Sequence, residues 1–189
     1  MGRALARLIL LATLLVAWPT FAEEVAVPIG LQAELVAKVA AYDRNFAARA
    51  GERVQVLLVT RAGDGESVRT AAHMESALKD MKEIGGLPHE ETTVAYGGAK
   101  ALADAVKARK VAIVYLTPGL GTELEAIRDA LAGVSVLSVG AIADFVPKGA
   151  VLGFDLVSGR PKLVVNLTQA KKQDVAFKAE VLKLMRVIE

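Results

Sequence analysis

Two apolar runs, Val54 to Thr60 (VQVLLVT) and Val111 to Leu116 (VAIVYL), constrain this chain more than any other feature. A strand turns alternate side chains to opposite faces, so a run with almost no polar interruption predicts a strand covered on both sides. Between and around these runs the periodicity changes to that of helices. Leu35, Val39, Tyr42 and Phe46 form one stripe of a first helix that begins at Leu31 and stops at Gly51. Ser67 is placed to cap a second helix carrying Val68, Ala71, Leu78 and Met81, which ends at Gly85-Gly86. Thr92 to Tyr96 and Val134 to Val139 read as further strands, with helices over Ala99 to Arg109 and Glu123 to Ala132. Strands that alternate with helices of ten or so residues imply right-handed βαβ crossovers and a parallel sheet.

After Gly140 the pattern changes. Residues 141–149 are irregular, and Gly149 to Val157 and Lys162 to Leu167 are apolar runs joined through Ser158-Gly159-Arg160-Pro161. That turn is too short for a parallel crossover, so the two strands form an antiparallel hairpin. Asp174 to Ile188 then places Phe177, Val181, Leu184, Met185 and Ile188 on one stripe and predicts a terminal helix. The expected fold is a three-layer αβα domain. It has a mainly parallel central sheet, a C-terminal antiparallel hairpin and a terminal helix.

The first 22 residues stand apart from this domain. Arg3 and Arg7 precede an uncharged apolar run from Leu8 to Trp18, and Thr20-Phe21-Ala22 offers a small-x-small cleavage step before Glu23. The run is shorter than the ~20 residues that span a bilayer, so residues 1–22 read as a secretory signal peptide cleaved after Ala22, residues 23–30 as a flexible lead-in and residues 31–189 as one domain. Cleavage removes two of the 23 basic residues and none of the 21 acidic ones, which leaves the mature chain formally neutral. A neutral chain without a basic run lacks the electrostatic footprint of a nucleic-acid binder. Cysteine is absent, which excludes thiol catalysis, disulfide switching and thiolate metal sites.

Two loops fall where open α/β sheets place ligands, beyond the C-terminal ends of strands. Thr117 to Glu123 (TPGLGTE) follows the strand Val111 to Leu116, and Thr60 to Ser67 (TRAGDGES) follows the strand Val54 to Thr60. A ligand bound between them would meet Thr117, Gly119, Gly121, Thr122 and Asp64. The competing reading is a pair of tight turns, with Thr122 capping a helix. A phosphate loop would need Lys-Ser/Thr after its last glycine, where this chain has Thr122-Glu123. His73 and His89 have no ligand spacing around them, none of Ser67, Ser76, Ser135, Ser138 or Ser158 lies in a G-x-S-x-G elbow, and Asp64, Glu66, Glu123 and Asp144 are ordinary loop carboxylates. No catalytic set is legible, and neither a cofactor nor a metal is expected.

The C-terminal half carries a resemblance. VSVLSVGAIADFVPKGAVLGFDLVSGRPKLVVNLTQAKKQDVAFKAEVLKLMRVIE resembles the YfiR-like family of bacterial periplasmic regulators in several successive features. They are a strand ending in a Ser-Val-Gly turn, a loop containing Asp and Phe, a Gly before GF, a Gly-centred hairpin, NL before a basic turn, and a Leu-rich last segment. The likeness extends more weakly back to Leu31, where LVAKVAAYDRNFA is similar to the family's first helix. The resemblance implies an exported α/β domain that acts by protein contact rather than catalysis and holds a membrane-bound diguanylate cyclase inactive through its periplasmic region. It leaves a homodimer open. On this reading the late hairpin finishes the sheet and leaves an edge or face for a partner, with Tyr42, Phe46 and Arg160 as candidate contacts. The rival expectation is a small periplasmic solute-binding protein using the crevice between the two loops.

Overall fold

The computed structural model describes residues 25–188. The signal-peptide segment, and Glu23 and Glu24 of the lead-in, lie outside the described residues. The elements are α1 (Ile29–Ala40), α2 (Phe46–Ala50), β1 (Val54–Thr60), α3 (Gly65–Lys79), β2 (His89–Ala95), α4 (Ala99–Ala108), β3 (Val111–Leu116), α5 (Leu124–Leu131), β4 (Leu137–Gly140), α6 (Phe145–Lys148), β5 (Leu152–Val157), β6 (Arg160–Asn166), α7 (Leu167–Lys172), α8 (Ala179–Leu182) and β7 (Arg186–Ile188). One seven-stranded sheet has the order β2-β1-β3-β4-β5-β6-β7. It is parallel throughout except for the antiparallel β5–β6 pair. The two nearly continuous apolar runs become β1 and β3, paired side by side as the second and third strands of the sheet, where Leu57, Leu58, Ile113, Val114 and Tyr115 are buried. Right-handed crossovers from β1 leftward and from β2 rightward put α3 on one face and α4, α5 and α6 on the other. The first helix α1 packs beside α3.

Three expectations are corrected. The first helix ends at Ala40 rather than continuing through Phe46. The chain breaks there because Asp43 turns inward: its side chain is fully buried, pairs with Arg49 at 2.8 Å, and accepts hydrogen bonds from the backbone N–H of Asn45 and of Ala176. Within the lead-in, Val27 is fully buried and gives its carbonyl to the Gln32 side chain, and α1 begins at Ile29. The terminal helix is not formed. Asp174 to Ile188 contains only the four residues of α8, followed by β7. The backbone of this segment is claimed by the turn after α1, through the Arg44 N–H on the Ala176 carbonyl and the Lys178 N–H on the Tyr42 carbonyl, and then by the open edge of β6. Edge pairing suits the β-branched Val187 and Ile188 better than a lone terminal helix would. Phe177, Val181 and Met185 still reach the core, but from an irregular backbone. The cap of α3 is Asp64, which accepts from the N–H groups of Glu66 and Ser67, and Ser67 is left for another role.

Candidate functional site

The strand order reverses between β1 and β3, and the two loops singled out in the sequence do meet there. They meet closely. A Cβ on Gly119 would lie 2.4 Å from Asp64 Oδ2, so the turn after β3 sits directly on the turn after β1. Arg61 Nη1 pairs with Glu123 Oε1 at 2.9 Å across the top. Beneath them the Arg61 N–H donates to Ser67 Oγ (2.7 Å), Ser67 Oγ and Thr117 Oγ1 are 2.6 Å apart, and the Thr117 hydroxyl donates to the Val59 carbonyl (2.8 Å). With that donation fixed, Ser67 donates to Thr117. Thr117 is fully buried and both its roles are taken. Asp64 is occupied as a cap. Thr122 is exposed and does not cap α5, whose N-cap is Glu123, while Gly121 is part-buried in the same turn. Of the expected ligand set, Thr117, Gly119 and Asp64 join two loops together. Tyr96 lies beside this junction, its hydroxyl pushed above the ordinary tyrosine range by burial and then by the Glu123 carboxylate.

At the opposite end of the sheet, before β3 and β4, lies a cleft of about 490 Å³ bordered by Asn45, Arg49, Lys107, Lys110, Ser135 and Asp174. Its floor is a clasp around the buried Arg49–Asp43 pair, whose outer members Ser135 and Asp174 are exposed. Arg49 joins Asp43 through Nη1, Ser135 Oγ through Nε (3.2 Å) and the Asp174 carbonyl through Nη2 (2.8 Å). Asn45 donates to Asp174 Oδ1 and the Ser135 hydroxyl to Asp174 Oδ2. Removing either member of such a buried pair leaves an uncompensated charge and costs ~3–5 kcal/mol.

The third feature is apolar. In the β5–β6 hairpin Phe154 pairs with Leu163 and Leu156 with Pro161, whereas Asp155 pairs with Lys162 and Val157 with Arg160. Side chains alternate, so Leu156 and Leu163 share one face, and Val187, opposite Val165 in β7, lies on that face too. The other face carries Asp155, Lys162, Arg160 and Arg186, with Arg186 Nη2 on Asp155 Oδ2 at 2.8 Å. The apolar face belongs to the α1 side: Leu163 lines a groove of about 480 Å³ with Leu35, Val39, Tyr42, Val181 and Leu184. Six large hydrophobic side chains are exposed among the described residues, and Tyr42, Leu156, Leu184 and Val187 are four of them. The Lys178 ammonium sits 5.9 Å from the centre of the Tyr42 ring.

The three expected contact residues therefore separate. Tyr42 is 42% exposed in the groove, whereas Phe46 is 2% exposed and its ring presses on Gly85, so Phe46 belongs to the core. Arg160 is exposed but on the charged face of the hairpin, away from Tyr42. Sequence reasoning missed Leu163, Leu156 and Val187. The alternation in LVSGRPKLVV could have shown the first two, but Val187 was assigned to a helix that does not form. No cluster of three or more metal-ligating side chains exists among the described residues, and no helix there is long and apolar enough to cross a membrane.

Comparison with known proteins supports this architecture. The tryptophan-bound ABC domain from Streptococcus pneumonia superposes with a TM-score of 0.60 at 14% identity, over 85% of this chain and 60% of that one. A conserved domain protein from Vibrio cholerae gives 0.57 at 18% identity, over 86% and 60%. The open, ligand-free substrate-binding protein CD0873 from Clostridium difficile gives 0.53 at 11%, over 77% and 57%. The chain thus spans about three fifths of the solved structures it matches, and at these identities the likeness is one of fold. No curated protein matches it. The model of the YfiR/HmsC-like family matches residues 30–186, which run from the first turn of α1 into β7, and the chain belongs to that family.

Proposed function

We propose that this protein is a periplasmic regulator that works by docking. It holds a membrane-bound signalling protein, such as a diguanylate cyclase, inactive by binding that protein's periplasmic region, and it reaches the periplasm with residues 1–22 removed as a signal peptide. Family membership supports the regulatory and periplasmic part of this reading. The observation that carries the docking part is the uncovered apolar face formed by Leu156, Leu163 and Val187 together with Tyr42 and Leu184. The charged residues of the same strands all lie on the opposite side. Exposed apolar side chains gathered on one face mark an interaction site. The solute-binding alternative has less support, because two of the residues expected to meet its ligand, Asp64 and Gly119, lie against each other.

The test is capture of a diguanylate cyclase from solubilised membranes by the exported domain, followed by assay of cyclase output. The wild-type domain captures the cyclase and lowers its output. The pair Leu156→Asp and Leu184→Asp abolishes both effects, while Arg160→Glu on the other face leaves them intact. Equal capture by the double aspartate variant would exclude this face.

A further inference from the structure

We propose that the cleft before β3 and β4 binds a small organic oxyanion, a carboxylate or a phosphate monoester carrying a short apolar body. Its volume of about 490 Å³ falls in the range of metabolite pockets. The lysines select an anion. Lys107 and Lys110 border the cleft, are exposed, and form no ion pair or hydrogen bond through their ammonium groups, whereas Asp174, the one carboxylate on its wall, is already held by Asn45 and Ser135. The floor guanidinium of Arg49 adds positive charge that buried Asp43 offsets. Val111 and Val134 supply the apolar wall.

The backbone supplies the second argument. Lys110 (φ 51°) and Asp174 (φ 55°) are two of the three non-glycine residues at positive φ among the described residues, and both border this cleft. They follow the last turns of α4 and α7, a position that favours glycine. The protein uses glycine there elsewhere, at Gly51 after α2, Gly133 after α5 and Gly149 after α6. Placing lysine at 110 costs about 1 kcal/mol of left-handed strain. Two lysines at the end of α4 also complement its dipole, but Lys107 alone fills that role without strain. What the strained position adds is a second cation beside the first.

The site is independent of the docking reading, yet it rests on the same two segments. The turn from Tyr42 to Arg49 and the stretch from Asp174 to Lys178 form the clasp under the cleft, and the same stretches hold Tyr42 and Val181 in the apolar groove.

The experiment uses the exported chain with benzoate, phenyl phosphate and inorganic phosphate as probes, and benzamide and benzylamine as neutral and cationic controls. Binding is followed by calorimetry and located by amide chemical shifts. At least one of the organic anions binds and moves resonances of residues 45–49, 107–111, 133–135 and 174. The variant Lys107→Gln with Lys110→Asn, in which asparagine tolerates the left-handed backbone, weakens that binding tenfold or more with the melting temperature retained, and Lys82→Gln leaves it unchanged. Binding of phosphate but not of benzoate identifies the phosphate source, and the reverse the carboxylate. No binding by any anion at millimolar concentration, equal binding of benzamide, shifts located elsewhere, or undiminished binding by the double variant would each overturn the proposal. Loss of cyclase capture in the docking experiment would leave it standing.

Discussion

Tyr42 and Phe46 lie one helical turn apart in sequence, and replacing each with alanine separates a contact residue from a core residue. Phe46 is 2% exposed, and its ring approaches Gly85 so closely that a Cβ there would lie 2.7 Å from Cε1. Phe46→Ala removes this ring from the core, leaves a cavity and costs ~3–5 kcal/mol. At about 2–4 °C per kcal/mol for a domain of this size, the melting temperature falls by roughly 6–20 °C. Tyr42 keeps 42% of its surface in water. Its truncation forfeits about half of the ~1.5–3 kcal/mol that full burial of such a side chain contributes, near 1 kcal/mol. The Lys178 cation over the ring adds about 0.5 kcal/mol. Tyr42→Ala therefore lowers melting by only a few degrees but weakens partner capture by on the order of 2 kcal/mol if the ring is a hot spot. Thermal melting, guanidinium unfolding and cyclase capture on the same two variants provide the measurement. A fall below about 4 °C for Phe46→Ala, or equal falls for both, would refute the break after Ala40 that sends these side chains to different places.

Gly119→Ala forces a Cβ onto Asp64 Oδ2 at a residue with φ 84°, and is expected to destabilise by ~1–3 kcal/mol; an unchanged denaturation midpoint would mean that the two loops are apart. Burial raises the Tyr115 hydroxyl far above the ordinary value of 10.0, and it donates to Gln32 Oε1 at 2.8 Å. The unfolded chain therefore releases this proton near pH 10 while the folded one keeps it, so the contribution of Tyr115 is full below pH 10 and is lost as pH rises above it. Tyr115→Phe costs ~1–3 kcal/mol at neutral pH by leaving Gln32 unpaired, and its stability deficit narrows between pH 10 and 11.5 in chemical unfolding; a constant deficit would contradict the burial of the hydroxyl.

The candidate sites were less legible than the fold, for a reason that shows at particular residues. TPGLGTE and RAGDGES are ligand-type loops in a ligand-type position, and nothing in their composition reveals that Gly119 would rest on Asp64. That contact depends on how far apart β1 and β3 hold the loops. The position of Ser67 suits a cap, but Asp64 caps α3 and the Ser67 hydroxyl bonds to Thr117 instead. The cleft on the other side gathers Asn45, Lys107, Ser135 and Asp174 from four stretches of chain, each unremarkable alone.

By itself, the sequence determined the layered α/β architecture, the positions of β1, β3 and the helices between them, and the antiparallel hairpin. These follow from local periodicity and from a turn too short for a crossover, both of which can be read within a window of about ten to twenty residues. The course of residues 174–188 depends instead on long-range packing. Asp174 to Ile188 has a valid helical stripe, yet the backbone hydrogen bonds of this segment are taken by Tyr42 and Arg44 at one end and by the open edge of β6 at the other. Local propensity is worth tenths of a kcal/mol per residue, so it yields where distant partners offer satisfied backbone groups and a buried place for Phe177 and Met185. The same long-range pairing turned Val187 onto the apolar face beside Val165 and so added it to the surface on which the proposed function rests.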